Sequence, residues 1–209
     1  MADPSLLTYQ KEDIRMYMVI YVDDILLTGN SQTVVTKLLV NLHTRFQMKD
    51  LGSLNPFLGL QAVFTDYGVL LHQKQYAEKI LNRAGMQETK PMAMPMSGKV
   101  TITAKSHEEF SNPQVYRQII GALQYLTLTR PDIRFAVNQL SQSMHKPLNI
   151  NFEALKRLLR YIKGTIDFGI PLYKNSLTLR SYVDADWASN TSDRKSISGY
   201  CNFLGKSLI

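Results

Sequence analysis

Two adjacent carboxylates lie between apolar runs near the start of the chain. Asp23 and Asp24 follow residues 19–22 (VIYV) and precede residues 25–27 (ILL). Adjacent acids in apolar surroundings are costly unless a cation neutralises them. Carboxylate oxygens suit Mg²⁺, and two such ions can hold the attacking and leaving oxygens of a nucleotidyl transfer. Because aspartate is also common in tight turns, an ordinary hairpin turn is the alternative.

A β-hairpin followed by a helix is predicted to position this pair. Residues 16–22 and 25–28 are β-prone runs separated only by the two acids, and Gly29-Asn30 ends the second run. Ser31 can cap a following helix, whose apolar residues recur every three or four positions: Val34, Val35, Leu38, Leu42 and Phe46. The carboxylates should therefore lie at the hairpin tip, with the helix packed on the sheet.

The rest of the chain predicts an α+β protein. A second hairpin is expected from residues 56–64 and 69–72, joined by the turn 65–68 (TDYG), and a helix from Lys74 to Ala84 should end at Gly85. The polar, proline-punctuated residues 88–112 predict a surface linker. Helical periodicity then covers residues 114–128, 131–144 and 152–163, and strand patterns cover 168–173, 177–183 and 198–204.

The positive charge of the chain is concentrated in one stretch. The formal net charge is +7 with a pI near 9.4, and residues 146–180 hold seven basic residues against two acidic ones. This balance favours an anionic partner such as nucleic acid, although a solvated helical face would have the same composition. The candidate phosphate-contacting residues lie on the predicted helix 152–163: Lys156, Arg157, Arg160 and Lys163.

Cysteine content and hydropathy bear on the compartment. Cys201 is the single cysteine, so no internal disulfide can form, and no secretory leader pattern opens the chain. The apolar runs are far shorter than the roughly 20 residues that span a bilayer. We therefore expect an intracellular location without a signal peptide or a membrane partner.

Six ordered blocks resemble the Pol polyproteins of copia-type retrotransposons. The first contains a tetrapeptide similar to the tyrosine-x-Asp-Asp box of reverse transcriptases, and together the blocks reach across nearly the whole chain. They are residues 21–29 (YVDDILLTG), 46–59 (FQMKDLGSLNPFLG), 76–86 (YAEKILNRAGM), 116–131 (YRQIIGALQYLTLTRP), 158–164 (LLRYIKG) and 182–187 (YVDADW).

The resemblance implies three structural regions and a metal-dependent chemistry. Residues 1–72 would be the C-terminal part of a right-hand polymerase palm, in which Asp23 and Asp24 help to hold catalytic Mg²⁺ and the hairpin 57–71 resembles the primer grip. Residues 73–165 resemble the helical thumb, which tracks an RNA–DNA or DNA duplex without sequence specificity. Residues 166–209 resemble the first strands of a truncated ribonuclease H-like sheet.

Within the ribonuclease H-like block, the family's motif assigns one catalytic residue. Asp184 matches its first catalytic, metal-holding aspartate. Asp186, the neighbouring acid of the motif, receives no catalytic role. Trp187 is the only tryptophan, and we interpret it as a packing residue rather than a base-stacking one.

The resemblance also predicts that the chain is inactive by itself. The family's polymerase uses a third palm aspartate and fingers that precede the tyrosine-x-Asp-Asp box, and its ribonuclease H uses further acids that follow the matched strands. We therefore expect a reverse-transcriptase fragment without polymerase or nuclease activity. The alternatives are a noncatalytic nucleic-acid-binding remnant that uses the basic thumb helix, and an enzyme completed by a complementing polymerase fragment.

Overall fold

The computed structural model describes residues 5–52, 56–97, 106–174, 176–188, 194 and 196–209, and it divides the chain into two compact units, residues 1–58 and 59–209. Both units mix helices with small antiparallel sheets, so the α+β expectation is confirmed. No helix in the described ranges is long and apolar enough to cross a membrane.

The first unit is a three-stranded meander with one helix. Strand β1 (Leu6–Lys11) pairs with β2 (Ile14–Tyr21), which pairs with β3 (Asp24–Gly29), and helix α1 (Gln32–Arg45) follows. The predicted hairpin is confirmed, whereas β1 was not predicted. Ser31 occupies the N-cap position of α1, but no capping hydrogen bond from its side chain occurs within the described part of the chain.

Helix α1 lies against the meander, although the unit buries little. A Cβ on Gly29 would lie 2.8 Å from the Met16 side chain and 3.1 Å from Cγ2 of Val35, which shows how closely α1 approaches the sheet. Among the described residues of this unit, Met16 alone is buried. Phe46, predicted on the apolar face, lies just beyond the end of α1 and is exposed.

The second unit begins with the other predicted hairpin and gains a third strand from far along the chain. Strands β4 (Gln61–Thr65) and β5 (Gly68–His72) are joined by the predicted turn. Strand β6 (Gly169–Tyr173) pairs antiparallel with β5. The pattern of residues 168–173 predicted a strand correctly, but nothing local identified β5 as its partner.

Four helices hold the buried core of this unit. They are α2 (Lys74–Arg83), α3 (Pro113–Leu126), α4 (Arg134–Ser141), which is preceded by a 3₁₀ turn at Pro131–Ile133, and α5 (Asn149–Gly164). Side chains such as Ile120, Leu123 and Leu158 are fully buried between them. Gly85 ends α2 as predicted: it has φ 63°, its N–H bonds to the Asn82 carbonyl, and the Met86 N–H bonds to the Leu81 carbonyl.

The predicted linker is attached to α5 at both of its described ends. The Met92 N–H donates to the Arg160 carbonyl at 3.2 Å, and the Ile150 N–H donates to the Ser106 carbonyl at 3.0 Å. Residues 98–105 of the predicted connection 88–112 lie outside the described residues. A last sheet contains β7 (Leu179–Ala185), β8 (Ser198–Leu204) and β9 (Ser207–Leu208), of which β9 was not predicted.

A buried guanidinium connects the ends of α3 and α5. The Arg130 side chain is 2% exposed, its Nε and Nη2 donate to Asp132 at 2.9 and 2.7 Å, and its Nη1 donates to the Thr165 carbonyl at 2.9 Å. The Tyr161 hydroxyl donates to the same Asp132 carboxylate at 2.8 Å. Burial alone would raise the pKa of Asp132, but the hydrogen bonds and charge of Arg130 lower it below its usual value.

We expect Asp132→Ala to lower the free energy of unfolding by about 2–4 kcal/mol, because it leaves a buried guanidinium without its counter-charge. The Asp132 side chain is 31% exposed, so water can replace part of the loss. Urea denaturation measures the change. The matched control is Asp167→Ala, which removes an acid that is 74% exposed and paired with Lys74, and it should cost much less than Asp132→Ala because water screens the exposed pair. Equal losses in the two variants would show that the Arg130 network contributes nothing beyond a surface pair.

The acid dependence of the same pair has a definite sign. A carboxyl whose pKa is lowered in the folded state stabilises the fold above its unfolded pKa, near 4, and this contribution disappears as pH falls through the lowered value. The stability difference between the parent and Asp132→Ala should be complete at pH 7 and should shrink below about pH 4.

Candidate functional site

The paired aspartates lie at a two-residue hairpin turn. Tyr21 pairs with Asp24 across β2 and β3, so Val22 and Asp23 form the turn. Val22 has φ 50°, and of the two turn residues it alone has a positive φ, which is the pattern of a type II′ turn. A β-branched residue rarely adopts this conformation, and a strained position of this kind costs about 1–3 kcal/mol unless the surroundings maintain it.

Both carboxylates are exposed in the structure. Asp23 is at the turn, and Asp24 is the first residue of β3. Both are exposed to solvent, as are the neighbouring Tyr21 and Val22. Water therefore solvates the pair, and the burial cost that the sequence pattern suggested does not arise. The apolar residues that flank the pair along the chain do not enclose it in the folded unit.

The donor atoms suit Mg²⁺ by type. Mg²⁺ is commonly bound through one or two carboxylates, with water and substrate phosphates completing an octahedron. Asp23 and Asp24 can supply two such carboxylates. A cluster of three or more histidine, cysteine, aspartate or glutamate side chains suited to a metal does not occur among the residues that the structure describes. The pair thus fits part of one magnesium site and does not by itself make a cage for two ions.

Asn30 fixes the base of the hairpin. Its side-chain amide donates to the Asp13 carbonyl at 2.6 Å and its side-chain oxygen accepts from the Arg15 N–H at 2.9 Å. The Asn30 N–H also donates to the Arg15 carbonyl at 3.1 Å. These three bonds join the end of β3 to Asp13, in the turn before β2, and to Arg15, at the start of β2. The sequence predicted Asn30 only as a stop signal, because its partners lie 15 and 17 residues away and precede the predicted hairpin strands.

The four candidate phosphate-contacting residues of α5 are all half-buried. The Lys156 ammonium lies 2.6 Å from Glu153 and 5.4 Å from the centre of the Phe152 ring. The Arg160 Nε donates to the Lys90 carbonyl at 2.7 Å. Two of the four basic groups are therefore engaged within the protein, and a phosphate would compete with those contacts or share the remaining donors.

Arg157 differs from the other basic residues of α5. Its Nε is buried and has no hydrogen-bond partner within the described part of the chain. A buried, unpaired donor of this kind costs about 1–3 kcal/mol. Because this Nε is inaccessible to solvent, an anion would reach it only if the groups around it moved, so the unpaired donor does not by itself make Arg157 a phosphate site.

A cavity of about 520 Å³ opens beside the same helix. The end of α2, the first half of α3, and α5 line it with apolar side chains such as Val115, Ile119 and Leu159, while Arg83 and Lys156 supply positive charge and Glu88 negative charge. The sequence did not predict this cavity, because its walls come from three helices that are distant in sequence.

In the last sheet the candidate acid Asp184 and its neighbour Asp186 have different surroundings. Asp184 lies in β7 opposite Gly199 and is exposed. The Asp186 carboxylate accepts from the Ile197 N–H at 2.8 Å and the Asp186 N–H donates to the Ile197 carbonyl at 3.1 Å, so Asp186 closes the end of the β7–β8 ladder. Trp187 is 92% exposed, and its prediction as a packing residue is wrong.

The chain is similar to one known protein family and to several curated proteins. Residues 5–98 match the family described as reverse transcriptase (RNA-dependent DNA polymerase). An uncharacterized mitochondrial protein of Arabidopsis thaliana is 49% identical over 195 residues, which is 93% of this chain and 81% of the relative. No solved structure matches the chain.

Two further relatives are transposon polyproteins. The retrovirus-related Pol polyprotein from transposon RE2 of Arabidopsis thaliana is 44% identical over 205 residues, or 98% of this chain. The polyprotein from transposon TNT 1-94 of Nicotiana tabacum is 34% identical over 192 residues, or 88% of this chain. The chain spans only 14% of the length of each polyprotein. The chain therefore belongs to the Pol family of copia-type retrotransposons, and its residues 5–98 belong to the reverse-transcriptase domain.

Proposed function

We propose that the chain carries the aspartate hairpin and the primer-side region of a reverse transcriptase, and that the 209-residue chain by itself does not polymerise. In this proposal residues 1–72 are palm, 73–165 are thumb and 166–209 are ribonuclease H-like. The supporting observation is the exposed hairpin that presents Asp23 and Asp24, together with the match of residues 5–98 to the reverse-transcriptase family. RNA–DNA or DNA duplex is the proposed substrate.

Asp23 and Asp24 would hold Mg²⁺ through their carboxylates. The bound ion would neutralise phosphate charge and polarise the reacting oxygens. The role of the hairpin is then positional: Asn30 fixes its base, and the tight turn fixes the backbone of Asp23 relative to Asp24. Two exposed carboxylates give a weak metal site, because the phosphates of bound substrate and further acids must complete it.

The second candidate function is nucleic-acid binding without catalysis. The specific observation in its favour is that α5 carries four basic residues, Lys156, Arg157, Arg160 and Lys163, each of which is only half-buried. The net charge of +7 supports association with a polyanion in either case. The two candidates differ in turnover, and both are compatible with a complementing fragment that would complete the polymerase.

The first test is primer extension with Mg²⁺ or Mn²⁺ by the purified chain. We expect no incorporation above background, because a two-metal site needs more ligands than Asp23 and Asp24 supply. Addition of a separately expressed upstream segment of a Pol polyprotein relative should permit extension. Asp23→Asn should then abolish it, whereas Asp66→Asn, which neutralises an aspartate in the other hairpin turn, should leave it unchanged. Extension by the chain alone that Asp23→Asn abolishes would overturn the inactivity proposal.

A second test concerns the ribonuclease H-like region. We expect no cleavage of the RNA strand in an RNA–DNA hybrid, because Asp184 has no cluster of further acids beside it among the described residues. The measurement is gel analysis of a labelled hybrid with Mg²⁺ and with Mn²⁺. Hybrid cleavage that persists in Asp186→Asn but is lost in Asp184→Asn would contradict the expectation and would assign Asp184 a catalytic role.

The binding candidate is tested by the salt dependence of duplex affinity. Neutralising one duplex phosphate gives a slope of roughly 0.9 in log affinity against log salt. Arg157→Gln combined with Lys163→Gln should flatten the slope by about 2 if both groups contact phosphate. The control, Lys79→Gln with Arg134→Gln, removes the same charge from exposed positions of the same unit and should change the slope little. If both pairs flatten it equally, α5 is only a charged surface.

A further inference from the structure

Helix α2 begins without a cap from its own N-terminal residue. Only Gln73 separates its first residue, Lys74, from the end of β5. The Gln73 side chain is buried, and its Oε1 accepts from the Thr129 hydroxyl at 3.0 Å. The first turn of α2 contains no acidic residue. Because the first N–H groups of a helix have no partners inside it, other parts of the protein must supply acceptors.

Both strands of the preceding hairpin supply these acceptors. The Lys74 N–H donates to Nδ1 of His72, the last residue of β5, at 3.3 Å. The Gln75 N–H donates to Oε1 of Gln61, the first residue of β4, at 3.2 Å. Gln61 and His72 are directly opposite each other in the β4–β5 ladder, so their side chains lie on the same face of the sheet. This cross-strand pair therefore caps the helix from two strands at once.

The third strand of this sheet is connected to the same end of α2. Asp167, two residues before β6, lies 2.7 Å from the Lys74 ammonium. A carboxylate at this position offsets the unfavourable placement of a lysine at a helix N-terminus. In β6 itself, Gly169 is opposite His72, and a Cβ on Gly169 would lie 2.9 Å from the Cβ of His72. Gly169 thus keeps the space beside His72 free of a side chain.

We propose that Gln61 and His72 are positioning residues that hold the β4–β5 hairpin in one orientation on α2. The hairpin is joined to the helix through Gln73 alone, so rotation about the backbone of that residue would turn the hairpin while both elements stayed folded. The two capping bonds attach each strand separately to the first turn of the helix, and two attachments at different points oppose that rotation. The bonds are independent of the proposed function, whereas their consequence for a primer rests on it.

The proposed function gives this attachment a role. In that proposal the hairpin lies on the primer side and α2 begins the thumb, which contacts the duplex. The caps then transmit the position of the thumb to the primer end, while the basic residues of α5 supply affinity for the duplex. Loss of the caps should therefore misplace the primer end without weakening duplex binding, and a small misplacement of a reacting group lowers the rate strongly.

Matched substitutions separate the acceptors from the bulk of the side chains. Gln61→Met and His72→Phe keep the approximate size of each side chain and remove its acceptor. Gln61→Glu keeps an oxygen at the position of Oε1, and His72→Asn keeps an acceptor near the position of Nδ1. Gln87→Met is the control, because the Gln87 amide bonds to Asn82 near the other end of α2.

Amide hydrogen exchange measures the capping bonds themselves. The Gln75 amide in Gln61→Met and the Lys74 amide in His72→Phe should each exchange roughly fivefold faster than in the parent, the loss expected for one cap. Gln61→Glu and His72→Asn should restore slow exchange, and Gln87→Met should leave both amides unchanged. Exchange that is the same with and without the acceptors would show that these bonds do not hold the helix end, and the proposal would fail.

The distance between two spin labels measures the orientation. In a Cys201→Ser background, Asp66→Cys carries one label in the hairpin turn and Lys79→Cys carries the other on the exposed side of α2. The parent should give one narrow distance distribution. Gln61→Met combined with His72→Phe should broaden or shift it, and Gln61→Glu combined with His72→Asn should keep it narrow. Circular dichroism checks folding, and the single variants take the place of a pair that does not fold. A distribution that the acceptor-free variants leave unchanged overturns the proposal, because β6 and the helical core would then hold the hairpin without the caps.

Primer extension separates this inference from the proposed function. In a polymerase completed with an upstream segment, the acceptor-free pair should lower kcat about tenfold or more and change the KM for primer–template less than about twofold. The pair that keeps the acceptors should extend at the parent rate. No extension by the completed parent would contradict the proposed function, and the label distances would still decide the orientation. A raised KM with unchanged kcat, or an equal loss in both pairs, would overturn the role of the caps in placing the primer.

Discussion

The buried guanidinium of Arg130 is the interaction on which the helical unit depends. Arg130 lies in the segment that follows α3. Its guanidinium pairs with Asp132 in the next turn and donates to the carbonyl and the hydroxyl of Thr165, just after α5. The centre of the Phe168 ring, immediately before β6, lies 5.4 Å from the guanidinium carbon Cζ of Arg130. The Arg130 side chain thus fixes the relative positions of the segments that follow α3 and α5 and of the residue that precedes β6. The described bonds engage four of the five N–H donors of this buried charge. Alternative arrangements that break one of these bonds leave a buried donor unpaired.

The two units differ in how much of their geometry is determined by packing. In the second unit, fully buried Ile, Leu and Tyr side chains lie between the helices. The Tyr116 hydroxyl donates to the Leu140 carbonyl inside that core, and burial raises the pKa of Tyr116 to about 12. The first unit buries only Met16 among its described residues. Its hairpin is positioned mainly by strand pairing and by the Asn30 bonds. A metal site built on such a hairpin gains little preorganisation from the unit itself, and the positive φ of Val22 adds backbone strain at the turn.

The sequence predicted the elements whose signals are local. Both hairpins, the stop of α2 at Gly85 and the strands at 169–173 and 198–204 follow from apolar runs bounded by turn residues. Strand β1 was missed because residues 6–11 (LLTYQK) form a short segment in which apolar and polar residues do not strictly alternate. Three features depend on residues that are far apart in sequence: the pairing of β6 with β5, the bonds of Arg130 and the exposure of Trp187. No sequence periodicity contains that information. Asp23 and Asp24 were noted as adjacent acids between apolar runs, and the resemblance then assigned their role. Asp184 was identified by resemblance alone, and the roles of all three remain proposals.

Charge on a helix and charge available to a ligand are different quantities, and α5 illustrates the difference. The sequence gives four basic residues in eight positions, but Lys156 is paired with Glu153, and Arg160 supports the linker through the Lys90 carbonyl. Arg157 has an Nε donor without a partner in the described part of the chain, but that donor is buried and therefore not open to an anion either. Less of the charge on α5 is thus available to a phosphate than the sequence suggests.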